Sequence, residues 1–168
     1  GVGCPLSGTP DDEEATPPGR RVLDTTVRVG GEPDALVETR LDLWAALDGG
    51  LGQLVVVVRP ASPSRETRRQ VVRAWVQSTR IGLDAFVDAD ALLGWASDLG
   101  DGRPLADVEL SLAGGATGRT DARGLARLPL AEAPSALLVA RRGGDLAILP
   151  SQPGWWNEGS GFRRSPRE

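Results

Sequence analysis

The chain has 168 residues, 40% of them hydrophobic, and a formal net charge of −4. That length holds one large or two small domains, and that charge argues against nucleic acid, whose phosphates need a basic surface. All nineteen basic residues are Arg, His and Lys are absent and Cys4 is the sole cysteine, which excludes Ser-His-Asp and Cys-His catalysis, histidine zinc sites, lysine Schiff bases, Walker-type loops and an internal disulfide.

The all-Arg usage reads as codon bias of a GC-rich genome, not as nineteen recognition sites. The opening Gly1-Val2-Gly3-Cys4 has neither the basic start nor the apolar stretch of a signal peptide. A chain without an initiator Met reads as a fragment or a processed product. Cys4 has two readings: an incidental thiol, or a lipidated cysteine after a trimmed lipoprotein signal. Gly3 suits the second, but Gly1 stands where a Leu is expected. Residues 1–19 are rich in Pro, Gly and acid, including Asp11, Asp12, Glu13 and Glu14. Clustered like charge with little apolar content predicts a disordered acidic lead-in. A calcium site there lacks the glycine-turned spacing of ligands that such loops use.

A first β-sandwich domain is expected over 20–80. Arg21 to Val29 alternates weakly and predicts a strand. Val37, Thr39, Leu41, Leu43, Ala45 and Leu47 share one parity, which predicts a strand over most of 35–46, with a helix as the alternative. Asp48-Gly49-Gly50-Leu51-Gly52 turns the chain. Leu54 to Val58 is the longest uninterrupted apolar run, far short of the ~20 residues of a membrane span. It predicts a strand buried on both faces if central. Pro60 to Gln70 reads as a loop, and Val71 to Thr79 as a fourth strand carrying Trp75. Four strands against the seven of a full sandwich leave this domain open to being incomplete.

A second β-sandwich domain is expected over 81–150, joined by almost no linker. Seven short strands fall near 81–87, 91–98, 105–113, 116–120, 124–130, 136–142 and 145–149, with Gly- and Asp-rich turns between them. Val108, Leu110 and Leu112 point one way, and Asp107, Glu109 and Ser111 the other, so that strand has one face on a core. Asp101-Gly102 and the run Thr120-Asp121-Ala122-Arg123-Gly124 are turns in which Gly takes the left-handed corner. Residues 151–168, with Trp155-Trp156, read as a linker or tail.

Trp95, Asp98-Leu99, Gly102-Arg103-Pro104-Leu105, Val108, Leu110 and Thr120-Asp121-x-x-Gly124-Leu125-Ala126 together form a pattern that resembles the macroglobulin-type domains in the N-terminal arm of bacterial α2-macroglobulins. Gly143 to Pro150 and Gly154-Trp155-Trp156-Asn157-Glu158 look like that family's exit toward the next domain. Part of the pattern also occurs in transthyretin-like modules. The resemblance implies an all-β chain of two tandem immunoglobulin- or fibronectin-like sandwiches. It implies non-catalytic structural domains of a broad-spectrum protease-trapping inhibitor, located extracellularly or in the periplasm. In such proteins cleavage of a bait segment collapses the body around the protease. A lipid anchor on the full-length protein remains open through Cys4. The implied partners are neighbouring domains of the same chain and, through the full-length protein, target proteases. Neither nucleic acid nor direct membrane insertion is implied. If the resemblance holds, Trp95 is buried against Val108, Leu110 and Leu112.

Few residues are candidates for a site. Trp155 and Trp156 are either a platform for a sugar or partner, or a wedge between domains. Asp84, Asp88, Asp90, Asp98 and Asp101 are calcium ligands or, more cheaply, turn caps. Arg65, Arg68, Arg69 and Arg73 form a solvated basic face or a docking site for an acidic partner. No Gly-x-Gly stands between a strand and a helix, so no nucleotide loop is read. No catalytic residue, metal ligand or cofactor is expected. The alternative functions are a transthyretin-like or carbohydrate-binding sandwich, or a surface or adhesion stalk.

Overall fold

The structure is a computed structural model and describes residues 19–32, 35–62, 70–88, 90–113, 115–131, 135–151 and 162. Contacts divide the chain into two units, Cys4–Val76 and Gln77–Glu168. Among the described residues the regular structure is β, apart from one short 3-10 turn.

In the unit Cys4–Val76, β1 (Gly52–Val58) pairs with β2 (Val72–Ser78) as a two-stranded sheet; β2 ends just past the unit's boundary. The indole N–H of Trp75 donates to Gln53 Oε1 at 2.9 Å, tying the two strands by side chains. Three sequence expectations fail here. Arg21 to Val29 forms no strand, and its Val22, Leu23, Val27 and Val29 are exposed. Residues 35–46 form no strand either; Trp44–Ala46 is a 3-10 turn. The reason is local. Asp42 Oδ1 accepts from Trp44 N–H at 2.9 Å, and the N–H groups of Ala46 and Leu47 bond to the carbonyls of Leu43 and Trp44. A short Asp side chain thus offers the backbone a turn instead of a ladder. The third concerns β1. Among the described residues β2 is its one sheet neighbour, so β1 lacks the central place on which burial of both faces depended, and Val57 and Val58 are exposed.

Among its described residues the unit Gln77–Glu168 carries seven strands within the ranges that alternation and turns suggest, one of them, β5, much shortened. They are β3 (Ile81–Asp88), β4 (Ala91–Asp98), β5 (Glu109–Leu112), β6 (Thr117–Arg119), β7 (Leu125–Pro129), β8 (Leu137–Arg142) and β9 (Asp145–Pro150). They form two antiparallel sheets, one ordered β3-β4-β7 and one β6-β5-β8-β9. The core between them holds Leu92 and Ala96 of β4, Leu110 and Leu112 of β5, Leu128 of β7, Leu138 and Ala140 of β8 and Ala147 of β9, with Val108 beside β5. β5, β7 and β8 bury alternate residues, as a sandwich requires.

Gly94 is the close-packed point of this core. It faces inward from β4, and a Cβ there would lie 2.5 Å from Leu110 Cδ1 of the other sheet. The missing side chain is the space that Leu110 fills. Sheet β5 starts later than alternation suggested. Asp107 adopts φ 59°, which breaks the extended run before Glu109.

Trp95 corrects a further expectation. It is 41% exposed, on the outer face of β3-β4-β7. In β4 the inward parity belongs to Leu92, Gly94 and Ala96, so Leu93 and Trp95 point out. Val108, Leu110 and Leu112 do line the core, without Trp95.

Candidate functional site

The Thr-Asp-x-x-Gly run is built entirely of internal hydrogen bonds. Thr120, 4% exposed, donates its hydroxyl to Leu105 O at 2.6 Å and accepts from Val108 N–H at 3.0 Å. Its backbone also exchanges bonds with Asp107 and Val108. A buried hydroxyl is stable only when paired, and this one ties Leu105 and Val108 to Thr120 at the end of the β5–β6 ladder. Asp121 Oδ1 accepts from the N–H groups of Arg123 (2.8 Å) and Leu125 (3.0 Å), and Oδ2 pairs with the Arg123 guanidinium at 3.2 Å. The Leu125 N–H above all, with the Arg123 N–H and guanidinium, holds the Asp121 carboxyl below its ordinary value, against an opposing effect of desolvation. Gly124 takes φ 77°, and its carbonyl accepts from Ala96 N–H at 2.8 Å. A Cβ at Gly124 would lie 3.2 Å from Trp95 Cδ1 and 3.1 Å from Pro104 Cβ. The Trp95, Pro104 and Gly124 of the motif therefore meet on one spot, where the indole edge lies against the glycine backbone.

The aspartates separate into caps and ion pairs. Asp98 Oδ1 accepts from Gly100 N–H at 2.7 Å, Asp101 Oδ1 from Arg103 N–H at 3.0 Å, and Asp84 Oδ1 from Ala85 N–H at 2.7 Å. Asp88 and Asp90 share Arg127, at 3.5 and 3.3 Å. No group of three or more His, Cys, Asp or Glu able to hold a metal comes together among the described residues. Trp155, Trp156, Cys4, Asp11 to Glu14, Arg65, Arg68 and Arg69 lie outside the described residues. Arg73 lies in β2.

What the sequence reading missed is a surface. Across the outer face of β3-β4-β7, Phe86 stands opposite Leu93, and Trp95 stands between Asp84 and Leu125. Phe86 and Trp95 are exposed, while Leu93 and Leu125 are half-buried. The signal was present but ambiguous: Ala91-Leu92-Leu93-Gly94-Trp95-Ala96 is apolar at both parities, so alternation does not tell which side is in. A face of this composition suits contact with another surface. No helix of the described residues is long and apolar enough to cross a membrane.

No family model matches the sequence, and no curated protein matches it. Solved structures do. A crystal structure of native alpha-2-macroglobulin from Escherichia coli, spanning domains MG0-NIE-MG1, is similar with a TM-score of 0.52 and 21% identity, over 61% of this chain and 34% of that one. A second structure from that protein, spanning domains NIE-MG1, aligns with a TM-score of 0.44 and 24% identity, over 46% of this chain and 39% of that one. The chain thus spans about a third of the 61%-aligned structure's own length, 34%. At such identity the likeness speaks for fold, and the fold is that of the macroglobulin-type β-sandwich domains of a bacterial α2-macroglobulin.

Proposed function

We propose that this chain supplies non-catalytic, load-transmitting modules to a protein that works as bacterial α2-macroglobulins do, trapping proteases outside the cytoplasm. The observation that carries the reading is the fold likeness to the MG0-NIE-MG1 region of the E. coli protein. The Thr120–Leu125 motif supports it, since its polar side chains are spent on holding turns and not on a cleft. The outer face around Phe86 and Trp95 would contact neighbouring domains of the same polypeptide, and the protease would be met by the whole protein.

The test is a protection assay on the full polypeptide whose gene carries this sequence. A trapped protease keeps its activity on a small peptide substrate and loses it on a large protein substrate. Loss of both activities, or of neither, refutes the trap. A Cys-x-x-Gln motif downstream in a much longer gene would agree with it.

A carbohydrate-binding module is a second reading, favoured by the exposed Trp95 beside Asp84. Calorimetry against oligosaccharides, with Trp95→Ala as the control, separates the two readings.

A further inference from the structure

The outer face of β3-β4-β7 is not uniformly apolar. Asp84 of β3 stands in it, directly across from Trp95 of β4, with Phe86 two residues farther along β3 on the same side. In the other direction along β3, Gly82 has no side chain and Leu99 takes the room. Leu99 Cδ2 lies 3.0 Å from where a Cβ of Gly82 would be. Leu99, Trp95 and Phe86 are all exposed. One carboxylate is therefore flanked by two aromatic rings and a leucine.

The sandwich supplies no cation to this carboxylate. Asp84 Oδ1 accepts from the N–H of its neighbour Ala85 at 2.7 Å, and among the described residues no guanidinium pairs with it. Arg127, in the row of Phe86 and Leu93, is already shared by Asp88 and Asp90 at 3.5 and 3.3 Å. An exposed carboxylate is content in water. What sets this one apart is its surroundings. Cross-strand neighbours stand about 4.5–5.5 Å apart and same-face neighbours on one strand about 7 Å, so a group that reaches Asp84 also covers an aromatic ring.

We infer that this face docks a protein segment that presents an arginine among apolar side chains. A guanidinium is planar, always charged and weakly hydrated, so it forks onto a carboxylate while its flat side lies on an aromatic ring. A lysine ammonium is a compact, strongly hydrated point charge and meets only half of that demand. The apolar flanks of the segment cover Phe86, Leu93 and Leu99, which are otherwise left to water. The inference rests on the reading of this face as a contact surface, and it does not depend on protease trapping.

The probe is the peptide acetyl-Leu-Arg-Leu-amide, titrated into the full 168-residue chain. Magnetic resonance follows the indole N–H signal that Trp95→Phe removes. That signal and the amides of Asp84 and Phe86 should shift together and saturate. Replacing the arginine by citrulline, which keeps the shape and loses the charge, should weaken binding about tenfold, as loss of a charge-assisted hydrogen bond does. Lysine in its place should weaken binding less than citrulline does. Asp84→Asn should bring the arginine and citrulline peptides to within about twofold of each other, since the carboxylate is what tells them apart. The citrulline arm needs no variant, so it decides the matter even if Asp84→Asn fails to fold. No shift at Trp95, equal affinities for the two peptides on the parent, or an arginine preference that survives Asp84→Asn overturns the inference. Maltohexaose shifting the same indole where the arginine peptide does not overturns it too, and favours the carbohydrate reading. A failed protection assay beside a peptide that binds as described removes the trap and leaves this site standing; the reverse pair of results removes the site alone.

Discussion

The two units use similar residues and reach opposite results. Val22, Leu23, Val27, Val29, Val37, Leu41, Val57, Val58 and Val72 of Cys4–Val76 are all exposed. Among the described residues, every buried hydrophobic side chain lies at or after Ile81. The difference is not hydrophobicity. Among its described residues Gln77–Glu168 has seven strands in two layers, so inward side chains meet opposing ones. Cys4–Val76 has two paired strands among its described residues, and a two-stranded sheet has no second layer to face. Alternation prepares a face; only a partner layer buries it.

The sharpest test of that contrast is to cut the same kind of side chain in both units. Leu110→Ala, at a site 0% exposed, should destabilise Gln77–Glu168 by about 2–5 kcal/mol in a denaturant melt. Val57→Ala in β1 should stay within about 0.5 kcal/mol, as surface changes do. A large loss from Val57→Ala would show a core in Cys4–Val76 and end the comparison.

Within the second unit, two positions sharpen it further. Gly94→Ala should cost about 1–3 kcal/mol by overpacking against Leu110, whereas Gly118→Ala, where a Cβ meets nothing closer than 3.8 Å, should cost much less. Thr120→Val should cost about 1–3 kcal/mol by stranding Leu105 O and Val108 N–H, and Thr120→Ser should recover most of it. Equal melts for Thr120→Val and the parent would mean that the hydroxyl bridge carries no stability.

Trp95→Ala should fall below the ~3–5 kcal/mol of a buried tryptophan, because its outward face is already wet. A shift as large as that of Leu110→Ala would show the indole to be covered.

The smallest effect expected is in acid. The folded Asp121 carboxyl titrates below its ordinary value, so its stabilisation is present above the unfolded pKa of about 3.9 and fades as pH falls through the lower folded value. Asp121→Asn should lower the neutral plateau slightly and so flatten the acid limb of the stability curve, because what is lost is the part present above the unfolded pKa. A parallel acid limb would put the pH dependence on other carboxylates.

Much of the second unit was legible because its signals agree. Alternation at Val108, Leu110 and Leu112, turn glycines and short spacing all point to one sandwich, and the structure places seven strands there. Trp95 was misread because β4 is apolar at both parities, and register across a sheet is not written in one strand. Residues 35–46 were misread because a period-two pattern has no means of naming its partner strand, while Asp42 supplies a local bond at two residues' distance. The contact surface was hidden for the same reason as Trp95. The Thr120 bridge was half visible: its motif announced a turn, but the tie to Leu105 and Val108 depends on a tertiary approach.

The β4–β7 pairing has a consequence in time. β3–β4 and β8–β9 join strands that are neighbours in sequence, but Leu92 pairs with Leu128, and the whole β5–β6 hairpin must be bypassed to bring them together. Closing that loop costs chain entropy before Leu92 and Leu128 return any burial, so this pairing should lie in the rate-limiting step. Folding of Gln77–Glu168 should then fall in the millisecond-to-second range of sandwiches. Truncating Leu128 should slow refolding, whereas removing a contact confined to the β8–β9 hairpin end should mainly hasten unfolding.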